Sequence, residues 1–303
     1  MTITDRRQFI QMSAVAGAWA LADRMPLGAA TSDIRLGLFT GVHKDPDAAL
    51  AKIREIGLPT CQAATEDFSD GMVQRLKAAI DRHKIEVTAV NCGGPGPLLY
   101  DFYQGPATIG LVPRKYRVPR ITQLKKASDF AKKLGIPAVH THCGFIPEDP
   151  NDPLYKETVD AIREVVSYCK GNGQIFLYET GQESPITLLR AMEDVGLDNQ
   201  GVNLDTANLI LYGKGNPVDA LDVIGKHLKG VHAKDGLFPT NPKQLGEEVP
   251  IGHGKADFPR IIKRMRELGY KGTLTIEREI SGPKQIQDVK QAKLYLEKLL
   301  SQG

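Results

Sequence analysis

The sequence predicts a single (β/α)8 barrel, on three observations. From Ile34 to the C-terminus, short apolar or β-branched runs alternate with longer stretches of helical periodicity, eight times over. No shift in composition marks a domain boundary along that stretch. The first run, "IRLGLF", continues into "TGVHKD" without the G-x-G-x-x-G of an open dinucleotide-binding sheet. Eight such units in about 270 residues is the size of one closed barrel.

The elements follow in order. A strand over 34–39 precedes a helix over 45–57, which Asp45-Pro46 starts and Gly57 stops. "TCQAAT" (60–65) precedes a helix over 70–83, and "EVTAVNCGG" (86–94) makes the third strand. Its helix is expected only at 120–135, after a long loop, "DFYQGPATIGLVPRKYRVPR" (101–120). A loop of that length in a compact domain is usually functional or disordered. Phe102, Tyr103 and Tyr116 argue against disorder and for a wall or lid; Arg114, Arg117 and Arg120 suggest a grip on an anionic substrate. The fourth unit is "PAVHTHCG" (137–144) with a helix over 153–173, and the fifth is "QIFLYE" (174–179) with 184–196. Then come "GVNLD" (201–205) with 216–227, "LKGVHAKD" (228–235) with 257–269, and "KGTLTIE" (271–277) with 283–300.

Composition narrows the function. A net charge of +3 without a dense Lys/Arg block gives nucleic acid no foothold. Four scattered cysteines, Cys61, Cys92, Cys143 and Cys169, with no C-x-x-C pair, fit neither a structural zinc site nor a disulfide scaffold.

Residues 1–30 read differently from the barrel over 31–303. Arg6 and Arg7 precede Phe9 and an apolar stretch from Met12 to Ala22, too short to span a bilayer as a stable helix. The pattern is that of a twin-arginine export signal, with small-residue cleavage sites at Ala20-Leu21-Ala22 or near Gly28-Ala29-Ala30. Such signals carry folded proteins, so a metal would be loaded before export. The mature protein is then expected in the periplasm or outside the cell, without a membrane anchor.

In a barrel of this kind the C-terminal ends of the strands face one shared pocket. Strand five ends in Glu179, strand six in Asp205, strand seven carries His232, and strand eight ends in Glu277. Three carboxylates at one rim repel unless a cation joins them. Mixed oxygen and nitrogen donors suit Mn²⁺, Mg²⁺, Co²⁺ or Zn²⁺, with manganese placed first. Around them stand candidate substrate contacts: His142 at the end of strand four with His140 deeper, Gln182 and Glu183 on the loop after Glu179, Lys234, and His253 among glycines. Asp235 reads as a solvated loop residue. Glu247 and Glu248 are either surface charges or part of a closing loop.

These residues carry a resemblance. The region 34–300, through "LYETGQE", "NLDTANLILYG", "GVHAKDG", "EEVPIGHGKADFP" and "GYKGTLTIERE", resembles the xylose-isomerase-like TIM barrels grouped as sugar phosphate isomerases and epimerases, which include ketose 3-epimerases. The resemblance implies one divalent metal on Glu179, Asp205, His232 and Glu277. It also implies that the two glutamates form the acid/base pair of an enzyme that removes a proton beside a carbonyl through an enediolate. Where those epimerases carry a histidine, this chain has Asn208, able to donate to a substrate hydroxyl but not to act as a cation. The expected substrate is an unphosphorylated or oxidised sugar, acted on by a monomer or a homo-oligomer. A lyase or dehydratase acting on a 3-keto-glycoside is the alternative, since elimination starts from the same proton abstraction. Endonuclease IV-type DNA repair uses the same barrel but needs more histidines than 7 and a basic groove. A metal-free sugar-binding module is a further class.

Overall fold

The computed structural model describes residues 33–302; the export signal expected over 1–30 lies outside the described residues. In chain order the elements are β1 (Arg35–Gly41), α1 (Pro46–Ile56), β2 (Thr60–Ala64), α2 (Asp70–His83), β3 (Glu86–Asn91), α3 (Gly105–Thr108) and α4 (Arg114–Leu134). There follow β4 (Ala138–His142), α5 (Pro153–Gly171), β5 (Ile175–Glu179), α6 (Pro185–Val195), β6 (Gln200–Asp205), α7 (Asn208–Leu211) and α8 (Pro217–Ile224). The chain ends with β7 (Leu228–Ala233), β8 (Asp235–Gly236), β9 (Glu248–Val249), α9 (Phe258–Glu267), β10 (Thr273–Ile276) and α10 (Pro283–Leu300). Strands β1-β10-β7-β6-β5-β4-β3-β2 close into a parallel barrel, and β8 and β9 make a separate antiparallel ribbon.

Local chemistry sets the boundaries. Asp45, Asp152 and Asn216 accept the orphan N–H groups of Ala48, Leu154 and Asp219 at the starts of α1, α5 and α8. Inside the barrel, side chains two apart share a face. Ala89, Ala138 and Leu177 form an apolar plug. Two residues further along, Ala138 gives way to His140 and Leu177 to Glu179, so the lumen turns polar toward the C-terminal rim. Among the described residues no helix is long and apolar enough to cross a membrane.

The expected 101–120 loop needs correction. It contains α3, and α4 begins at Arg114 rather than Arg120, with Pro119 inside it. Nor do the three arginines grip a ligand. Arg114 and Arg117 both bind Glu157 on α5, and Arg117 also donates to the Leu111 and Val112 carbonyls at 2.7 and 2.6 Å. Arg120, 1% exposed, donates to the carbonyls of Pro95, Pro97 and Gly110. These bonds satisfy loop carbonyls that would otherwise be stranded, which is why a buried guanidinium is tolerated. Gly110, at φ 72°, lets the loop press on the exit of β4: a Cβ there would meet the Cys143 carbonyl at 2.1 Å.

Candidate metal centre

Glu179 and Asp205 end β5 and β6, His232 lies in β7, and Glu277 follows β10 directly. The sheet register sets Asp205 beside His232 and Glu179 beside Asn203. One ligand atom from each of Glu179, Asp205, His232 and Glu277 lies within 4.8 Å of the others. All four side chains are buried, Asp205 and His232 completely.

His232 Nδ1 stands 2.9 Å from Glu179 Oε1, 3.1 Å from Glu277 Oε2 and 3.9 Å from Asp205 Oδ2. Burial opposes charge on every member, yet the neighbours decide the outcome. Against burial, His142, His232 and His140 hold Glu179 well below the ordinary carboxylate range. Against burial, Lys234 and His232 hold Glu277 at about 2. Asp205 goes the other way, pushed well above its ordinary value by burial and by the nearby Glu277 and Glu179. Of the three carboxylates, Asp205 is thus the one that burial and its neighbours disfavour as an anion.

A divalent cation fits on this chemistry. Asp205 caps the turn after β6, but only with Oδ1, which accepts the Ala207 and Asn208 N–H groups at 2.8 and 2.7 Å. Its Oδ2, like Glu277 Oε2, is buried and makes no hydrogen bond. Two such oxygens beside a histidine nitrogen form a donor set of the kind hard or borderline divalent ions take.

The surroundings hold residues that the sequence did not single out. Gln62, buried in β2, accepts from His232 Nε2–H at 2.8 Å and donates to Asn203 Oδ1 at 2.9 Å. That relay turns Nδ1 toward the carboxylates, which is how an outer hydrogen bond fixes a ligating imidazole. His140 touches Glu179 Oε2 at 2.7 Å, so it is a direct partner rather than only a deeper neighbour. The one available signal for Gln62 was a polar residue in the middle of an otherwise apolar strand.

The other expected residues divide. His142 lies 3.4 Å from Glu179 Oε2 and meets the edge of Tyr100, so the loop after β3 does reach the rim. Asn208 is buried and accepts from Lys234 Nζ at 3.3 Å. Lys234, 1% exposed, belongs to the cluster, 3.8 Å from Asp205 Oδ2, 3.6 Å from Glu277 Oε2 and 2.7 Å from Glu279 Oε1. His253 is exposed on the 250–256 loop and is not among the residues of the buried cluster. Asp235 is no solvated loop residue. It is buried and accepts the N–H groups of Gly236, Gly252, Gly254 and Ala256. Gly254 is what permits this, since a Cβ there would sit 2.2 Å from the carboxylate. Glu247 is exposed, whereas Glu248 pairs with Arg278 at 3.0 Å. A cavity of about 860 Å³ opens beside the cluster, bordered by Phe39, Thr40, Glu277, Glu279 and Gln285.

Glu183 is buried with Oε2 unbonded, and Gln182 beside it leaves both amide atoms without hydrogen bonds. Burial pushes the Glu183 carboxyl from 4.5 up to about 8 despite Lys214. The folded protein thus keeps a proton that the unfolded chain has already released. Stability contributed by this group is complete below pH 4.5, falls as pH rises toward 8, and is level above. Glu183→Gln is expected to remove that slope, stabilising the chelator-treated protein at pH 8.5 by on the order of 4 kcal/mol. Thermal melts at pH 4.5 and 8.5 check it. Equal melting temperatures of variant and wild type at pH 8.5 would refute it.

A Planctomyces limnophilus structure described as a xylose isomerase domain protein is 35% identical, superposes with a TM-score of 0.83, and covers 88% of this chain and 97% of its own. The Escherichia coli 3-keto-D-glucoside 4-epimerase YcjR shares the fold, with a TM-score of 0.65 at 15% identity over 88% of this chain and 99% of its own. An uncharacterized protein of Methanocaldococcus jannaschii is 26% identical over 199 residues, 61% of this chain and 64% of that one, so this chain spans less than two thirds of that relative. Residues 50–299 match the model of the family described as xylose isomerase-like TIM barrel, and the chain belongs to that family.

Proposed function

We propose that this protein is a metal-dependent isomerase or epimerase of keto-sugars. The observation that carries the reading is the meeting of Glu179, Asp205, His232 and Glu277 within 4.8 Å, with Glu277 on the wall of a cavity. Glu179, Asp205, His232 and Glu277 would hold one divalent ion, manganese first among the candidates. Bound there, it would polarise a carbonyl and so acidify the neighbouring C–H. The residues do the rest. Glu277, held ionised at about 2 by Lys234 and His232 against burial, is a carboxylate able to take a proton from a substrate in the cavity. Glu179 lies against His140, His142 and His232 at 2.7, 3.4 and 2.9 Å; once it has taken a proton from one of these imidazoles, it would return that proton to the substrate carbon. Two carboxylates acting on opposite faces of one carbon would invert it; acting on neighbouring carbons, they would move the carbonyl.

The test is incubation of Mn²⁺-loaded protein with a panel of keto-sugars and 3-keto-glycosides in deuterated water, read by NMR. Deuterium beside the carbonyl with the carbon skeleton intact is the expected result. Release of water or an aglycone would assign an eliminating enzyme instead. No exchange with any substrate would remove the reading.

A further inference from the structure

The metal ligands leave a charge over. Three buried carboxylates against one dication and a neutral imidazole carry a net single negative charge, and the residue placed to balance it is Lys234. Its backbone is fixed on both sides: the N–H donates to Thr206 Oγ1 at 3.1 Å, and its carbonyl accepts from that hydroxyl at 2.6 Å. From there the ammonium is aimed between Asp205 Oδ2 and Glu277 Oε2, at 3.8 and 3.6 Å, and rests on Glu279 and Asn208. Those two oxygens are the buried atoms of the cluster that make no hydrogen bond. Glu277 and Glu279, the ammonium's partners at 3.6 and 2.7 Å, both border the 860 Å³ cavity, so the ammonium stands one side chain behind that wall. A buried ammonium is costly to place and is kept where charge needs it.

Resting on the functional reading above, we propose that Lys234 is the second cation of the reaction, the group whose fixed positive charge stabilises the negative charge forming on the substrate oxygen. When a glutamate takes the proton beside the carbonyl, the C–H bond breaks. Its electron pair becomes the new carbon–carbon double bond, and the carbonyl π pair moves to oxygen. The total charge is unchanged: the glutamate becomes neutral and the oxygen anionic. The negative charge therefore moves from a carboxylate 3.6 Å from Lys234 Nζ to an oxygen bound in the adjoining cavity. A fixed ammonium follows that transfer without rearranging, which is the economy of a preorganised electrostatic site.

The test uses the full chain with Lys234→Met and Lys234→Gln, the second keeping a polar group while removing charge. The expected result is a kcat for deuterium exchange about 100-fold lower in both, with KM within about threefold. Mn²⁺ titration of chelator-treated protein should show affinity unchanged or tighter, because a repelling cation has gone. Should neither variant fold, Lys234→Arg decides, and a rate within about tenfold of wild type is the expected outcome for retained charge. Exchange lowered less than threefold, or recovered fully by saturating Mn²⁺, overturns the assignment; so does Mn²⁺ bound more weakly by the Met and Gln variants, a readout that needs no substrate. Wild-type protein inert toward every keto-sugar overturns the functional reading instead.

Discussion

Glu277→Gln is expected to slow proton exchange beside the substrate carbonyl by about 10³- to 10⁴-fold, and Glu179→Gln by a similar factor. Glutamine keeps the shape and one oxygen but cannot accept a proton from carbon. The two losses should nevertheless differ in kind. Glu277 borders the cavity and meets His232 and Lys234 at 3.1 and 3.6 Å, so its variant loses the base and the charge of one ligand while keeping an oxygen for the metal. Glu179 is met by His140, His142 and His232 at 2.7, 3.4 and 2.9 Å, so its variant also disturbs three imidazoles. Metal content after saturation with Mn²⁺ separates the roles. Glu277→Gln protein that binds Mn²⁺ yet does not exchange is the expected finding. Exchange within tenfold of wild type in the metal-loaded variant would remove Glu277 as the base.

Much of this centre was legible because barrel topology turns a one-dimensional rule into a three-dimensional one. The ends of parallel strands meet, so Glu179, Asp205, His232 and Glu277 could be brought together from their positions alone. What escaped the sequence was side-chain direction. Arg114, Arg117 and Arg120 looked like a ligand grip because a loop was expected up to a helix starting at Arg120. With α4 starting at Arg114, Arg117 and Arg120 turn inward onto loop carbonyls, while the exposed Arg114 pairs with Glu157. Asp235 looked solvated because its partners are four backbone N–H groups, three of them some 17 to 21 residues away and invisible to any motif. Gln62 escaped for the same reason, its partner His232 lying 170 residues along the chain. Strand-end chemistry reads well from sequence; hydrogen-bond relays behind it do not.

Withdrawing the metal should be visible without any substrate. In the ligand-free cluster burial and neighbouring carboxylates push Asp205 well above its ordinary value, and, against burial, Glu277 and Glu179 push His232 well above its own. Protons therefore stand in for the cation, and binding it must release them, so affinity falls as pH is lowered. At a hundredfold excess over its dissociation constant the ion adds about 2.7 kcal/mol of stability. For a barrel of this size that is roughly 5–8 °C in melting temperature. Chelator treatment should lower the melting temperature by that amount and abolish exchange, and Mn²⁺ should restore both. Asp205→Asn should erase the Mn²⁺-induced rise, because an amide nitrogen replaces the donor oxygen Oδ2 while Oδ1 keeps its turn. A melting temperature indifferent to Mn²⁺ at pH 7.5, in wild-type protein confirmed metal-free by elemental analysis, would mean that the four side chains meet for structural reasons alone.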